Sequence, residues 1–176
     1  MNPLIRKFQK IAEEAKLSKG TKKARLDFAR LVRNEVDINN LGRVTRGLQK
    51  PPRLATGMLV AFEYKPKGIN TLPFYDRFPL VFITEIKPDG WVGVNLHYLH
   101  PNVRANLFYQ MDRKKVQFGK DDMTLAATKR YLADHVVIAP KEFPESLWEI
   151  AAQLPFEGFR GASKTSAWKS TTRKMK

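Results

Sequence analysis

Two apolar runs, Leu80 to Ile86 and Trp91 to Leu99, stand on either side of Asp89-Gly90. Glycine accepts the positive φ that tight hairpin turns demand, so this pattern predicts an antiparallel hairpin of strands 79–87 and 91–99. Met58 to Tyr64 reads as a further strand ahead of it. Pro66 to Leu72 then forms a loop and Pro73-Phe74-Tyr75-Asp76 a turn. Three consecutive β segments on short connections imply an antiparallel meander, curled into a small sheet or partial barrel.

Helical periodicity surrounds this meander. Pro3 opens a segment in which Leu4, Phe8, Ile11, Ala12 and Ala15 recur at helical spacing. After a break at Ser18-Lys19-Gly20, Thr21 is placed to cap a second helix with Ala24, Phe28, Leu31 and Val32 along one side. Neither helix buries its apolar stripe alone, so each needs the core or a partner. Residues 37–56 lose all periodicity and read as a basic linker, with Arg43 and Arg46 in it. Downstream, Pro101 to Met111 and Thr124 to Ala133 predict helices, and Val136 to Ile138 a short strand. A last core helix runs from Pro144 until Pro155 ends it. The expected fold is α+β: an N-terminal helical pair over 1–36, the linker 37–56, a globular core over 57–159 wrapped by short helices, and a basic C-terminal tail over 160–176, flexible in isolation.

The formal charge of +15 is segregated along this plan. Residues 1–56 hold 14 Lys or Arg against 5 Asp or Glu, residues 57–159 hold 12 of each, and residues 160–176 hold 6 basic and no acidic residues. The core is thus formally neutral and the whole excess belongs to the two ends. Such a field attracts nucleic acid, acidic protein surfaces or anionic lipid. The candidate partner-binding residues are Lys19, Lys22, Lys23 and Arg25 between the first helices, Arg43 and Arg46 in the linker, and Lys164, Trp168, Lys169, Arg173 and Lys174 in the tail. An aromatic among basic residues stacks on a base while the lysines meet phosphates. The competing use of Trp168 is to fill an apolar pocket on a neighbouring protein, and a tail with one aromatic favours that use.

Other chemistry finds little support. With no cysteine there is no disulfide and no thiolate metal site. His97, His100 and His135 lack a ligand set, so they read as structural histidines and no metal or cofactor is expected. Asp121-Asp122 precedes Thr124 as a helix cap. Tyr75, Asp76 and Arg77 form either a charged recognition edge or, preferably, a turn in which Asp76 bonds nearby amides. There is no phosphate loop, no glycine-flanked nucleophilic serine and no dinucleotide fingerprint, so no enzyme class is indicated. No apolar run approaches a membrane span and the first ten residues lack the apolar stretch of a signal peptide.

The stretch Leu72-Pro73-Phe74-Tyr75-Asp76-Arg77-Phe78-Pro79-Leu80-Val81, followed by Gly93-Val94-Asn95-Leu96-His97-Tyr98-Leu99, Lys129-Arg130-Tyr131-Leu132 and Trp148 to Pro155, resembles a family of small virion-associated proteins of large contractile-tailed bacteriophages. The resemblance covers about residues 57–176, including Trp168-Lys169-Ser170 to Arg173-Lys174, and leaves out the opening helices. It implies a phage protein made in the host cytoplasm and carried in the virion. The expected function is a tail or baseplate component that docks onto other virion proteins through its basic ends. The alternatives are a nucleic-acid-binding protein that coats or anchors the phage genome, and an enzyme acting on cell wall or nucleic acid.

Overall fold

The computed structural model describes residues 3–35, 45–112 and 117–174. Its centre is a five-stranded antiparallel sheet built from β1 (Leu59–Tyr64), β3 (Leu80–Lys87), β4 (Gly90–Asn95), β5 (Thr128–Leu132) and β6 (Val136–Phe143), in the order β5-β4-β3-β1-β6. The short strands β2 (Tyr75–Asp76) and β7 (Phe159–Arg160) pair in a separate ribbon. The α+β expectation holds, and the sheet is curled without closing into a barrel.

The curl follows from the connections. β5 and β6 are opposite edges of the sheet, yet only Ala133–His135, a single 3₁₀ turn, joins them. Bulges in β3 against β4 and in β1 against β6 supply the bending. At these edges the turn is tied down: the Lys65 amide donates to His135 O, the Ala133 amide to Asp89 O, and the Leu132 amide to the Tyr64 hydroxyl.

Strand alternation then gives the sheet two apolar faces. Leu59, Ala61, Leu80, Phe82 and Val94 face the helices. Val60, Phe62, Val81, Ile83, Trp91 and Tyr131 face the concave side and pack against one another. There Phe62 meets Trp91 and Tyr131 edge to face, each at 5.1 Å between ring centroids.

The β3–β4 hairpin forms where the sequence predicts, with Lys87 paired to Gly90, but its second strand, expected to run to residue 99, ends at Asn95 and gives way to a 3₁₀ turn at Leu96–Tyr98. Its loop is Pro88-Asp89, and Gly90 is the first residue of β4. Gly90 is required by proximity: a Cβ there would lie 1.9 Å from Tyr131 O on β5. Gly93 is likewise hemmed in, because a Cβ would lie 2.6 Å from Phe82 O beside the β3 bulge.

α1 (Pro3–Glu14) and α2 (Lys22–Glu35) are the expected helical pair, joined by a 3₁₀ turn at Leu17–Lys19. The Ala24 amide donates to Thr21 Oγ1 at 3.1 Å, the expected cap. Phe8, Ile11, Phe28 and Val32 are buried in the same apolar cluster as Leu59 and Leu80, so the core itself covers the stripe. The described part of the linker also packs down: Thr45 and Leu48 are buried, and Gln49 O accepts from the Glu142 amide.

Further expectations are corrected. The stretch Pro73 to Asp76, read as a turn, ends in strand β2, which pairs with β7. The helix drawn over Thr124 to Ala133 is α4 (Asp122–Ala126) followed by strand β5. The short strand at Val136 is eight residues long, since Pro140 falls at the bulge of an edge strand and displaces no ladder bond. The tail expected to be flexible is helix α6 (Lys164–Lys174), with Ala167 and Thr171 buried. The remaining helices, α3 (Pro101–Asp112) and α5 (Trp148–Gln153), lie where proline signals place them.

Candidate functional site

The ribbon of β2 and β7 carries Asp76 beneath one end of the curled sheet. Asp76 Oδ1 accepts from the amides of Phe78 at 3.0 Å and Gly158 at 2.9 Å. Asp76 Oδ2 accepts from Asn95 Nδ2 at 3.2 Å and lies 2.7 Å from His97 Nδ1. Both Asp76 and His97 are buried. A second charged group lies nearby. Arg104 is 1% exposed, donates from Nε to Leu99 O at 2.8 Å, and sits 2.7 Å from Glu157 Oε1. The other Glu157 oxygen accepts from Lys164 Nζ at 2.7 Å. Burial alone would raise the Glu157 carboxyl, but the charges of Arg104, His97 and Lys164 outweigh it and hold it well below the usual carboxylate range.

Above Asp76 opens a pocket of about 360 Å³, between the 65–76 loop, the start of β5 and the end of α6. Its size lies near the lower end of the roughly 300–1,000 Å³ common among ligand sites. The floor is formed by Asp76, Asn95 and the buried tyrosines Tyr98 and Tyr131. Burial pushes both phenols up, with the Asp76 charge adding, so they stay protonated. Two half-buried rings, Phe74 and Tyr75, form one wall.

The rim is cationic. Lys129, Arg130 and Lys174 all border the opening. Arg130 is paired with Asp89 at 2.8 Å in an exposed bridge. Lys129 Nζ sits 4.6 Å from the Tyr98 ring centroid and 3.4 Å from Ala126 O. Among the described residues no carboxylate bridges Lys129 or Lys174. Burial pulls the Lys129 ammonium down to about 8, and the neighbouring Lys174 charge adds to that pull.

The residues singled out from sequence divide into several groups. Lys174 and Tyr75 reach this pocket. Asp76 lies beneath it rather than on a recognition edge, and Arg77 is half-buried against Glu63 at 2.6 Å. Lys19, Lys22, Lys23, Arg46, Lys169 and Arg173 are exposed elsewhere. Arg25 donates to Gly20 O at 2.6 Å, and Lys164 is bound to Glu157. Arg43 lies outside the described residues. Trp168, expected to anchor on a neighbouring protein, is half-buried on its own core: its Nε1 donates to His97 O at 2.9 Å, and its ring meets His100 at 5.0 Å. The Lys22 charge helps hold the His100 imidazole below its ordinary value, after burial and Arg104. The two basic ends therefore approach each other around His100.

Among the described residues no group of three His, Asp or Glu side chains converges on a point. Asp121 caps α4, accepting from the amides of Met123 and Thr124. No described helix is long and apolar enough to cross a membrane. Sequence reasoning missed Phe74, Tyr98, Lys129 and Arg130 as pocket residues. The only signal they gave was their place inside the motifs that carried the phage resemblance.

The family model described as phage T4 terminal DNA protecting protein matches residues 9–122. The chain belongs to that family. The match begins in α1 and includes the helical pair, which the resemblance had left out, while Lys129, Arg130, Tyr131 and Lys174 lie beyond it. No curated protein and no solved structure matches the chain. Membership in the terminal DNA protecting family sustains the phage origin and overturns the tail or baseplate expectation: the family is described by DNA protection, and nothing in that description concerns tail assembly. The tail or baseplate placement came from the resemblance, and the preference for protein docking from Trp168 as a filler of a neighbour's pocket, whereas its own core holds it.

Proposed function

We propose that this protein binds the ends of linear DNA and shields them by occupying them, without a bond-making step of its own. The observation that carries this reading is how the charge is distributed in three dimensions, taken with the family's description. The core is formally neutral in sequence, yet Asp76 is buried against His97, Asn95 and two amides, and the Glu157 side chain is buried between Arg104 and Lys164. On the exposed surface of the described residues cations outnumber carboxylates, with those of α2 and α6 and of the pocket rim among them. That surplus suits a polyphosphate partner and supplies affinity through release of counterions.

The test is binding of linear and covalently closed circular duplexes of equal length, across a range of salt. The expected result is tighter binding to the linear form, an affinity that falls linearly on logarithmic axes as salt rises, and resistance of bound linear DNA to an added exonuclease. Equal affinity for both forms with no protection would replace end binding by general coating, and no binding to either would overturn the reading.

A further inference from the structure

We propose that the pocket between the 65–76 loop, β5 and α6 receives one unpaired terminal nucleotide, with its base between the Phe74 and Tyr75 rings and the floor, and its phosphate at Lys129 and Lys174. This rests on the DNA-end reading above and says what part of an end is recognised.

The pocket is sorted by charge from inside to outside. Its floor holds a buried carboxylate, Asp76, fully engaged by Asn95, His97 and two amides, together with neutral phenols. A phosphate entering to that depth would meet the Asp76 charge at short range in poorly screened surroundings, whereas a neutral base would not. The rim holds Lys129 and Lys174, neither bridged to a carboxylate among the described residues. The arrangement therefore orients a nucleotide with base inward and phosphate outward.

The wall chemistry agrees. Tyr98 is already covered by Phe74 and by the Lys129 ammonium, so the rings left half-buried at the opening are Phe74 and Tyr75 themselves. Flat apolar faces of this kind stack on any base, which suits an end whose sequence is not fixed. An interior paired base shows no face and a terminal pair only its outer one, whereas an unpaired base can enter between these rings and the floor, so the ligand is a frayed or single-stranded terminus.

The partial burial of Lys129 gives it a function that surface lysines do not have. An unbridged ammonium taken out of water is costly to hold, and a phosphate at the rim would relieve that cost. By contrast, the exposed lysines of α2 and α6 lose little hydration on meeting a phosphate and discriminate little between an end and a continuous backbone.

The test is fluorescence anisotropy with three labelled duplexes bearing a blunt end, a short single-stranded tail, or the same tail with an abasic terminal position. The full chain is expected to bind the tailed end about tenfold more tightly than the blunt one, and to lose that preference at the abasic terminus. Tyr75→Ala and Lys174→Ala are each expected to weaken tailed-end binding several-fold more than blunt-end binding, so that the tailed-over-blunt preference shrinks in both variants. Lys174 is exposed at the end of α6, so its removal leaves the fold intact and keeps the test decisive if Tyr75→Ala misfolds. Equal affinity for all three duplexes, unchanged in both variants, would overturn the pocket assignment while leaving DNA binding standing. Failure to bind any duplex would overturn the underlying end-binding reading as well.

Discussion

Arg104 and Lys129 are both cations drawn largely out of water, and the fold treats them in opposite ways. Arg104 is enclosed by the carbonyls of Leu99 and His97 and by the Glu157 carboxylate, which also takes Lys164. Lys129 is given a ring face and one backbone carbonyl at 3.4 Å. A cation matched inside the molecule supports the native state. A cation left unmatched at the mouth of a pocket weakens the native state and keeps its interaction in reserve for something that arrives. The difference separates an interior network that holds the C-terminal segment onto the core from a rim arranged for an anionic ligand.

The largest expected effect comes from breaking the matched site. Glu157→Leu leaves Arg104 buried without its counter-charge, and removing one member of a buried pair costs roughly 3–5 kcal/mol. That is a large part of the ~5–15 kcal/mol of a typical domain, so urea unfolding should show a much lower midpoint. The pH dependence follows from the direction of the Glu157 shift. A carboxyl held below its ordinary value of 4.5 contributes stability that is fully present above that value and is lost as pH falls below it. The wild-type midpoint should therefore drop on acidification below about pH 4.5, and the variant should lack this part of the drop.

Lys129→Met tests the other half of the comparison, with an intermediate effect of opposite sign. Removing an unmatched, largely buried ammonium should raise stability, by about 1 kcal/mol or somewhat more. The same change should weaken binding to a single-stranded DNA end about tenfold. A lysine held down at about 8 costs the folded state in full below that pH. The cost is relieved as pH rises from about 8 through the ordinary value of 10.5, so wild type and variant should converge in stability over that window. Thermal melts at a series of pH values, with DNA absent, check this separately from binding.

The smallest effect is expected at Arg130. Its bridge to Asp89 is exposed on both sides, with side chains 57% and 54% accessible. Arg130→Ala should leave the melting temperature unchanged within error, because solvent already screens such a pair. A measurable loss would mean that the rim is more enclosed than its exposure indicates.

The parts of this molecule visible in the sequence are those fixed by local rules. The β3–β4 hairpin needed only two apolar runs and a turn dipeptide, and the Thr21 cap and the Pro101 and Pro155 boundaries needed only their own neighbours. β5 was hidden because Leu125, Thr128 and Leu132 satisfy a helical period, while the sheet decides instead by burying Tyr131 against Phe62 and Trp91. The pocket was hidden for a related reason. Tyr75 and Asp76, Asn95 and Tyr98, Lys129 and Lys174 come from four separated stretches, and nothing within any one of them says that the others are near. The charge segregation was legible, but burial was not: Asp76, Glu157 and Arg104 are withdrawn from the surface together, and reading Trp168 as an anchor for a neighbour overlooked its place on its own core.

The pairing of β1 with β6 joins Leu59 to Phe143, whereas β3 and β4 meet across two residues. Closing the longer loop costs more chain entropy before any contact compensates it, so the hairpin should form early and the outer strand late. On the ribosome, β1 keeps one open edge until residues 136–143 have emerged. The pocket takes longer still, since it draws its walls from Tyr64 and its rim from Lys174. Every residue between those two must be in place before the site exists, so a half-made chain already carries much of the positive charge but has no means of choosing where on DNA to put it.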